Sequence, residues 1–277
     1  MYLTTSEPKS VFSYHGSKYR MTRYLVPLIP ADTNYFAELF CGSAVVSLNL
    51  RAIPCILNDL DKNIYNFFCV LRKPRQRTAL INLLNATPCD QQTWRDAKAM
   101  SLSNAPVDRA WALMIRYQFS LSHFGKAFGC YPMEFGRRRA GAHSALRHKT
   151  SLLGSEWIKS FLSRATIINK DALCCLSDLN KKPRAYNILI YADPPYPDTT
   201  QDGYKYKYSW ADYEALLSGL AQTKHRFILS GFDNKVVRRY TNKHGWDVKS
   251  IKASAVCKGS IKTEMVYANF RLSNNLF

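Results

Sequence analysis

Asn187-Ile188-Leu189-Ile190-Tyr191-Ala192-Asp193-Pro194-Pro195-Tyr196 reads as a buried strand that delivers a carboxylate, two rings of fixed φ and an aromatic side chain to its carboxyl end. An unbroken apolar run of this length suits a parallel strand covered on both faces. Consecutive prolines stiffen the backbone and remove two amide donors, which leaves the neighbouring carbonyls available to a ligand. An Asp-Pro turn would do no more than close a strand. The buried run before this one and Tyr196 after it make it a candidate site.

Similar runs lie upstream at 35–40 and 166–168, with a further short strand at 55–57. Helix-period stretches alternate with them at 43–51, 61–71 and 172–179. Strand and helix in alternation predict an α/β fold, a doubly wound Rossmann-like sheet whose ligands sit at the carboxyl ends of the strands. Further strands are expected at 227–230, 247–253 and 262–272. Residues 73–163 behave differently, with helical patterns at 91–101 and 108–120 and no convincing buried strand. They also hold the glycine-aromatic stretch 124–132, expected to form a hairpin or irregular loop, and the cationic runs 137–139 and 147–149. The expected organisation is a main domain of residues 1–72 and 164–277, with 73–163 inserted as a mainly helical subdomain.

The composition points to a polyanionic partner. Across 277 residues, 39 Lys and Arg stand against 20 Asp and Glu, a net charge of +19, and 13% of the chain is aromatic. A basic surface interleaved with aromatics is the expected footprint of nucleic-acid binding, and a hydrophobic content of 47% excludes global disorder. No window approaches the roughly 18 apolar residues of a membrane span, and residues 1–10 lack the pattern of a secretory signal. A cytoplasmic protein is expected, nucleoid-associated in a prokaryote or in the host cytoplasm if viral. The eight cysteines form no C-x-x-C pair and have no nearby histidine pattern, so buried or partly buried thiols are expected rather than a metal site or disulfides.

Two further segments carry chemistry. In Phe36-Ala-Glu38-Leu-Phe40-Cys-Gly42-Ser43-Ala44 a strand turns through glycine into a helix, and glycine there permits close approach of a ligand to the backbone. In Leu57-Asn58-Asp59-Leu60-Asp61 an acidic residue ends the second strand, suited to accept hydrogen bonds from ribose hydroxyls. The alternative is that Asp59 or Asp61 only caps the next helix.

Taken in order, these segments resemble the Dam-like (alpha-group, DPPY) adenine-N6 DNA methyltransferases, which use S-adenosylmethionine. The resemblance begins at Tyr14-His-Gly16-Ser-Lys18-Tyr, similar to the family's aromatic-x-G-G-K segment. It runs through Phe40-x-Gly42-Ser43, Asn58-Asp59 and the D-P-P-Y at 193–196, and ends at Lys262-x-Glu264-Met-Val-Tyr-Ala-Asn269. It implies catalytic roles for Asp193, Pro194, Pro195 and Tyr196. It further implies a cofactor pocket of Tyr14, Lys18, Glu38, Phe40, Gly42, Ser43, Asp59, Leu60 and Asp171. The insertion then corresponds to a target-recognition domain gripping double-stranded DNA, with Arg116, Lys126, Arg137, Arg138 and Arg139 as candidate contacts and no metal. Two departures stand out. Ser17 replaces the second glycine of the first segment, and 122–126 does not reproduce the asparagine-rich hairpin of GATC readers, so the target sequence does not transfer. An RNA adenine methyltransferase and a catalytically inactive DNA-binding protein are the competing readings.

Overall fold

The computed structural model describes residues 8–50, 52–120, 125–129, 141–197, 205–254 and 261–273. Its strands are β1 (Tyr35–Glu38), β2 (Cys55–Asn58), β3 (Ala165–Ile168), β4 (Ile188–Ala192), β5 (Arg226–Gly231), β6 (Asp247–Ser254) and β7 (Ile261–Ala268). They form one seven-stranded sheet in the order β3-β2-β1-β4-β5-β7-β6. The first five are parallel to one another, while β7 runs antiparallel to both β5 and β6. This is the doubly wound α/β sheet expected from the sequence. The strand order reverses between β1 and β4, and a crevice opens at such a switch point outside the carboxyl ends of the strands. Glu38 ends β1 and Asp193 follows β4, so the reversal places the two quoted motifs side by side.

The helices are α1 (Thr22–Leu25), α2 (Val45–Leu48), α3 (Lys62–Arg72), α4 (Pro74–Asn85), α5 (Gln91–Met100), α6 (Pro106–Gln118), α7 (Ala142–Gly154), α8 (Glu156–Arg164), α9 (Ala172–Asn180), α10 (Trp210–Gln222) and α11 (Lys235–His244). Period-two alternation divides the sheet between two cores. Ile188, Ile190 and Ala192 of β4 face a cluster built with Leu176, Leu216 and Val237 of α9, α10 and α11. Leu189 and Tyr191 face the other cluster, which includes Phe67 of α3 and runs on through Leu80, Trp94, Trp111 and Phe161 of the following helices. Starts are set by Asp61, Asp90, Ser155, Asp171, Ser209 and Asn234, whose side chains accept helix-end amides. Pro74 and Pro106 begin α4 and α6, where the missing N–H costs nothing.

Three expectations need correction. The helix read at 43–51 is only Val45–Leu48, because Gly42 and Ala44 both take left-handed conformations, φ +47° and +51°. It ends where the Asn49 amide turns to the Val45 and Lys9 carbonyls. The last strand stops at Ala268 rather than 272. There the Asn269 side chain replaces backbone pairing, accepting from Phe227 N and donating to His225 O, both at 2.9 Å. Among the cysteines, Cys41, Cys55, Cys69, Cys174 and Cys175 are free thiols, but Cys89 is disulfide-bonded. Redox compartment guided the expectation, and sequence spacing does not reveal which sulfurs the fold brings together. No helix among the described residues is long and apolar enough to cross a membrane.

Candidate active site

A cleft of about 290 Å³ opens at the switch point. Tyr14, Lys18, Glu38, Phe40, Gly42, Ser43, Asp59, Leu60 and Asp171 all line it, as do Asp193 and Pro195. The structure therefore brings together segments separated by more than a hundred positions in sequence. Pro194 is buried in the turn after β4, and Tyr196 sits behind Asp193 with its ring 4.6 Å from that of Phe232.

The β1–β2 side of the cleft is built around Asp59. Its two carboxylate oxygens accept from Gly42 N and Asp61 N, each at 2.9 Å, so the acidic residue braces the glycine turn. Asp61 is the cap of α3, as its alternative reading had it, and both it and Asp59 line the cleft. Beneath them Asn58, fully buried, donates to the carbonyls of Leu39 and Lys170 and accepts from Lys170 N. One amide side chain thus ties together the ends of three strands. Gly42 has a steric reason beyond its φ: a Cβ there would stand 3.1 Å from the Tyr14 ring. Ser17 and Ser43 place their hydroxyls 3.1 Å apart at the same turn, so the serine that replaces glycine in the first segment finds a partner.

Burial pushes the Asp59 pKa up to about 6, against the lowering effect of its two amide donors. The effect is larger at Glu38, where burial raises the pKa to about 8 although Ser47 N donates to the carboxylate at 2.8 Å. A folded-state pKa above the unfolded one means that the native state binds more protons between those values, so stability is lost as pH rises through that window. The thermal midpoint is therefore expected to fall between the ordinary 4.5 and about 8, and Glu38→Gln should flatten that decline. Melting curves across this range check it; parallel slopes for the two proteins would show that Glu38 does not carry the dependence.

On the β4 side, Lys18 reaches across the cleft floor. Its ammonium lies 2.7 Å from Asp193 and 3.2 Å from Glu264, and donates to the Tyr196 hydroxyl at 3.2 Å. That hydroxyl also stands 3.0 Å from Asp193 Oδ1 and 2.5 Å from Glu264 Oε1. Lys18 thus lines the cleft, but its charge is directed at the D-P-P-Y group. Burial raises the Asp193 pKa, and the neighbouring Lys18 ammonium opposes that rise.

The candidate DNA contacts divide. Arg116 is half-buried at the end of α6, with a buried Nε that has no hydrogen-bond partner among the described residues. Lys126 is exposed on a segment that returns antiparallel to the end of α6 through a Ser120–Phe128 bridge, in keeping with the expected hairpin-like loop. Arg137, Arg138 and Arg139 lie outside the described residues. Glu264, which the sequence marks only as part of the late motif, is buried and shares Lys18 and the Tyr196 hydroxyl with Asp193. Its signal was available: on β7 it shares the inward phase of Val266 and Ala268, where a carboxylate is costly without partners. Lys205, Tyr206 and Tyr208, which also line the cleft, stand beyond the D-P-P-Y turn and carried no recognisable pattern.

Sheet order and cleft are consistent with a Rossmann-like methyltransferase fold. Residues 14–97 match the family described as D12 class N6 adenine-specific DNA methyltransferase, which bears out the resemblance carried by the motifs. Type II methyltransferase M.FokI of Planomicrobium okeanokoites is 24% identical over 207 residues, covering 71% of this chain and 30% of that protein. Modification methylase StsI of Streptococcus sanguinis is 37% identical over 60 residues, covering 22% of this chain and 9% of that protein. The chain thus spans less than a third of the length of either relative.

Proposed function

We propose that this chain transfers a methyl group from S-adenosylmethionine to N6 of an adenine flipped out of double-stranded DNA, at a specific sequence, as a modification methylase. The observation that carries the reading is the placement of Asp193 and its two prolines at the β1–β4 switch point, in one cleft with Asp59. The donor set suits the cofactor. Each Asp59 oxygen accepts one amide and keeps a lone pair for a ribose hydroxyl. Glu38 and Asp193 supply anionic or acceptor groups towards a cationic ligand, and Leu60 and Leu173 present exposed apolar side chains at the cleft for a purine ring. When bound, the cofactor supplies an electrophilic methyl on a sulfonium.

What the protein must overcome is the delocalisation of the N6 lone pair into the adenine ring. The Asp193 carboxylate accepts one N6 hydrogen and the Pro194 carbonyl the other, which draws the nitrogen towards tetrahedral geometry and aligns its lone pair. Catalysis then comes from orientation and electrostatics. The N–C bond would form as the S–CH3 bond breaks and a neutral thioether leaves; the nitrogen becomes acidic only then and sheds one proton through the Asp193 carboxylate to solvent, so Asp193 need not be a strong base. The Tyr196 ring, braced by Phe232, offers the stacking surface that an extruded base requires. Residues 73–163 form the target-recognition part, and residues 1–72 and 164–277 hold cofactor and chemistry. A cytoplasmic setting fits this substrate.

Transfer of labelled methyl to duplex DNA, in competition with RNA of the same sequence, tests the reading; label confined to RNA would replace it with an RNA methyltransferase. The net charge of +19 motivates a second test. DNA affinity should fall steeply with salt, about 0.9 counterion being released for each phosphate neutralised. Arg137→Ala is expected to reduce that slope by about one on every duplex. Lys126→Ala should instead cost about 1–3 kcal/mol at the preferred site alone. Two wild-type titration curves would move the DNA-gripping surface elsewhere in the chain.

A further inference from the structure

Behind Asp193 two carboxylates compete for one phenol proton, and that competition assigns a role to Glu264. Lys18 has three N–H donors, and among the described residues its ammonium meets Asp193 at 2.7 Å, Glu264 at 3.2 Å and the Tyr196 oxygen at 3.2 Å. Tyr196 has one proton and two carboxylates within reach, Glu264 at 2.5 Å and Asp193 at 3.0 Å. Burial, with Asp193 and Glu264 nearby, holds the phenol pKa well above its ordinary value, so that proton stays on the ring oxygen as a donor. The shorter contact takes it. We propose that Glu264 is a positioning residue that holds the Tyr196 proton away from Asp193, leaving Asp193 an open acceptor for the target amine.

The reason is capacity. The charge of a carboxylate is shared by its two oxygens, so a phenol and an ammonium both donating to Asp193 Oδ1 would also weaken Oδ2 as an acceptor for an incoming N–H, and Oδ1 is within reach of both donors. Glu264 relieves it of one. Its buried place on β7, a strand held between β5 and β6 and paired at this position with Ile251, fixes the carboxylate from a part of the sheet that belongs neither to the D-P-P-Y turn nor to the cofactor side. Glu264 therefore touches neither cofactor nor target in this scheme and acts through Tyr196.

The inference rests on the proposed methyl transfer, and a two-by-two set of variants tests it. Glu264→Gln keeps the shape but offers a neutral oxygen, so the phenol proton turns to the charged Asp193. The kcat for methyl transfer should fall at least tenfold, with the dissociation constant for S-adenosylmethionine within about twofold of wild type. In a Tyr196→Phe background the ring remains and the proton is gone, so adding Glu264→Gln should cost less than twofold. A merely structural role predicts the same tenfold loss in both backgrounds, since independent effects multiply. Wild-type kcat in Glu264→Gln, or a tenfold loss that persists in the Tyr196→Phe background, overturns the assignment. Thermal midpoints identify any variant that has not folded. In that event Glu264→Asp, which keeps the charge and withdraws the oxygen by one methylene, is carried through the same cycle with the same criterion. If the wild-type chain makes no N6-methyladenine, the proposed function fails; if it does and the losses multiply, only the role of Glu264 fails.

Discussion

Asp193→Ala should reduce methyl transfer by at least two to three orders of magnitude while S-adenosylmethionine binds within a few-fold of wild type. Removing one preorganised polar group aimed at a reacting centre costs on the order of 10²–10³ in kcat. Here the same group also sets the geometry of the nucleophile, so the loss should lie at the upper end of that range or beyond it. Cofactor affinity should survive because the ribose acceptor is a different residue, Asp59, on a different strand. Folding should survive as well, since Lys18 keeps Glu264 as a charged partner at 3.2 Å when Asp193 is gone. Single-turnover transfer to duplex DNA, with calorimetric titration of the cofactor, checks both halves. Near-wild-type transfer would remove Asp193 from the chemistry, and a large loss of cofactor affinity would move it into the cofactor site.

Asp59→Ala should show the opposite split. Loss of hydrogen bonds to a charged acceptor costs about 1.5–3 kcal/mol, which corresponds to roughly a 10- to 150-fold weaker cofactor dissociation constant. Transfer at saturating cofactor should be much less affected. Because Asp59 also accepts the Gly42 and Asp61 amides, the variant removes a brace from the glycine turn, and its thermal midpoint should drop too. The pH dependence separates the two contributions. A carboxylate whose pKa is pushed up to about 6 gains its full acceptor strength only above that value. Wild-type affinity should therefore improve as pH rises through 6, and Asp59→Ala should lose that improvement. An unchanged dissociation constant in the variant would leave Asp59 with the turn-bracing role alone.

The particular residues explain what the sequence made legible. The runs around Phe36, Leu57 and Ile190 announce buried parallel strands because each is apolar on both faces, and both faces are indeed covered by cores. The D-P-P-Y turn is legible because prolines and a carboxylate at a strand end have few structural uses together. The direction of Lys18 was not. Its sequence neighbourhood associates it with the cofactor segment, but a long flexible side chain is aimed by tertiary partners, and here those partners arrive from β4 and β7. Glu264 was obscured for a related reason: its phase on β7 marks it as inward, but only the strand order places it beside Asp193. The shortened α2 shows a third kind of limit. Gly42 reads as a turn residue, while Ala44 at φ +51° does not, since alanine gives no local sign of a left-handed conformation.

The central claim is that this cleft directs a methyl group to the exocyclic nitrogen of adenine. Nucleoside analysis of duplex DNA, after incubation with the wild-type chain and methyl-labelled S-adenosylmethionine, tests it most directly. The account predicts label in N6-methyladenine, absent when Asp193→Ala replaces the wild type. Label in cytosine, or adenine label undiminished in Asp193→Ala, would contradict it.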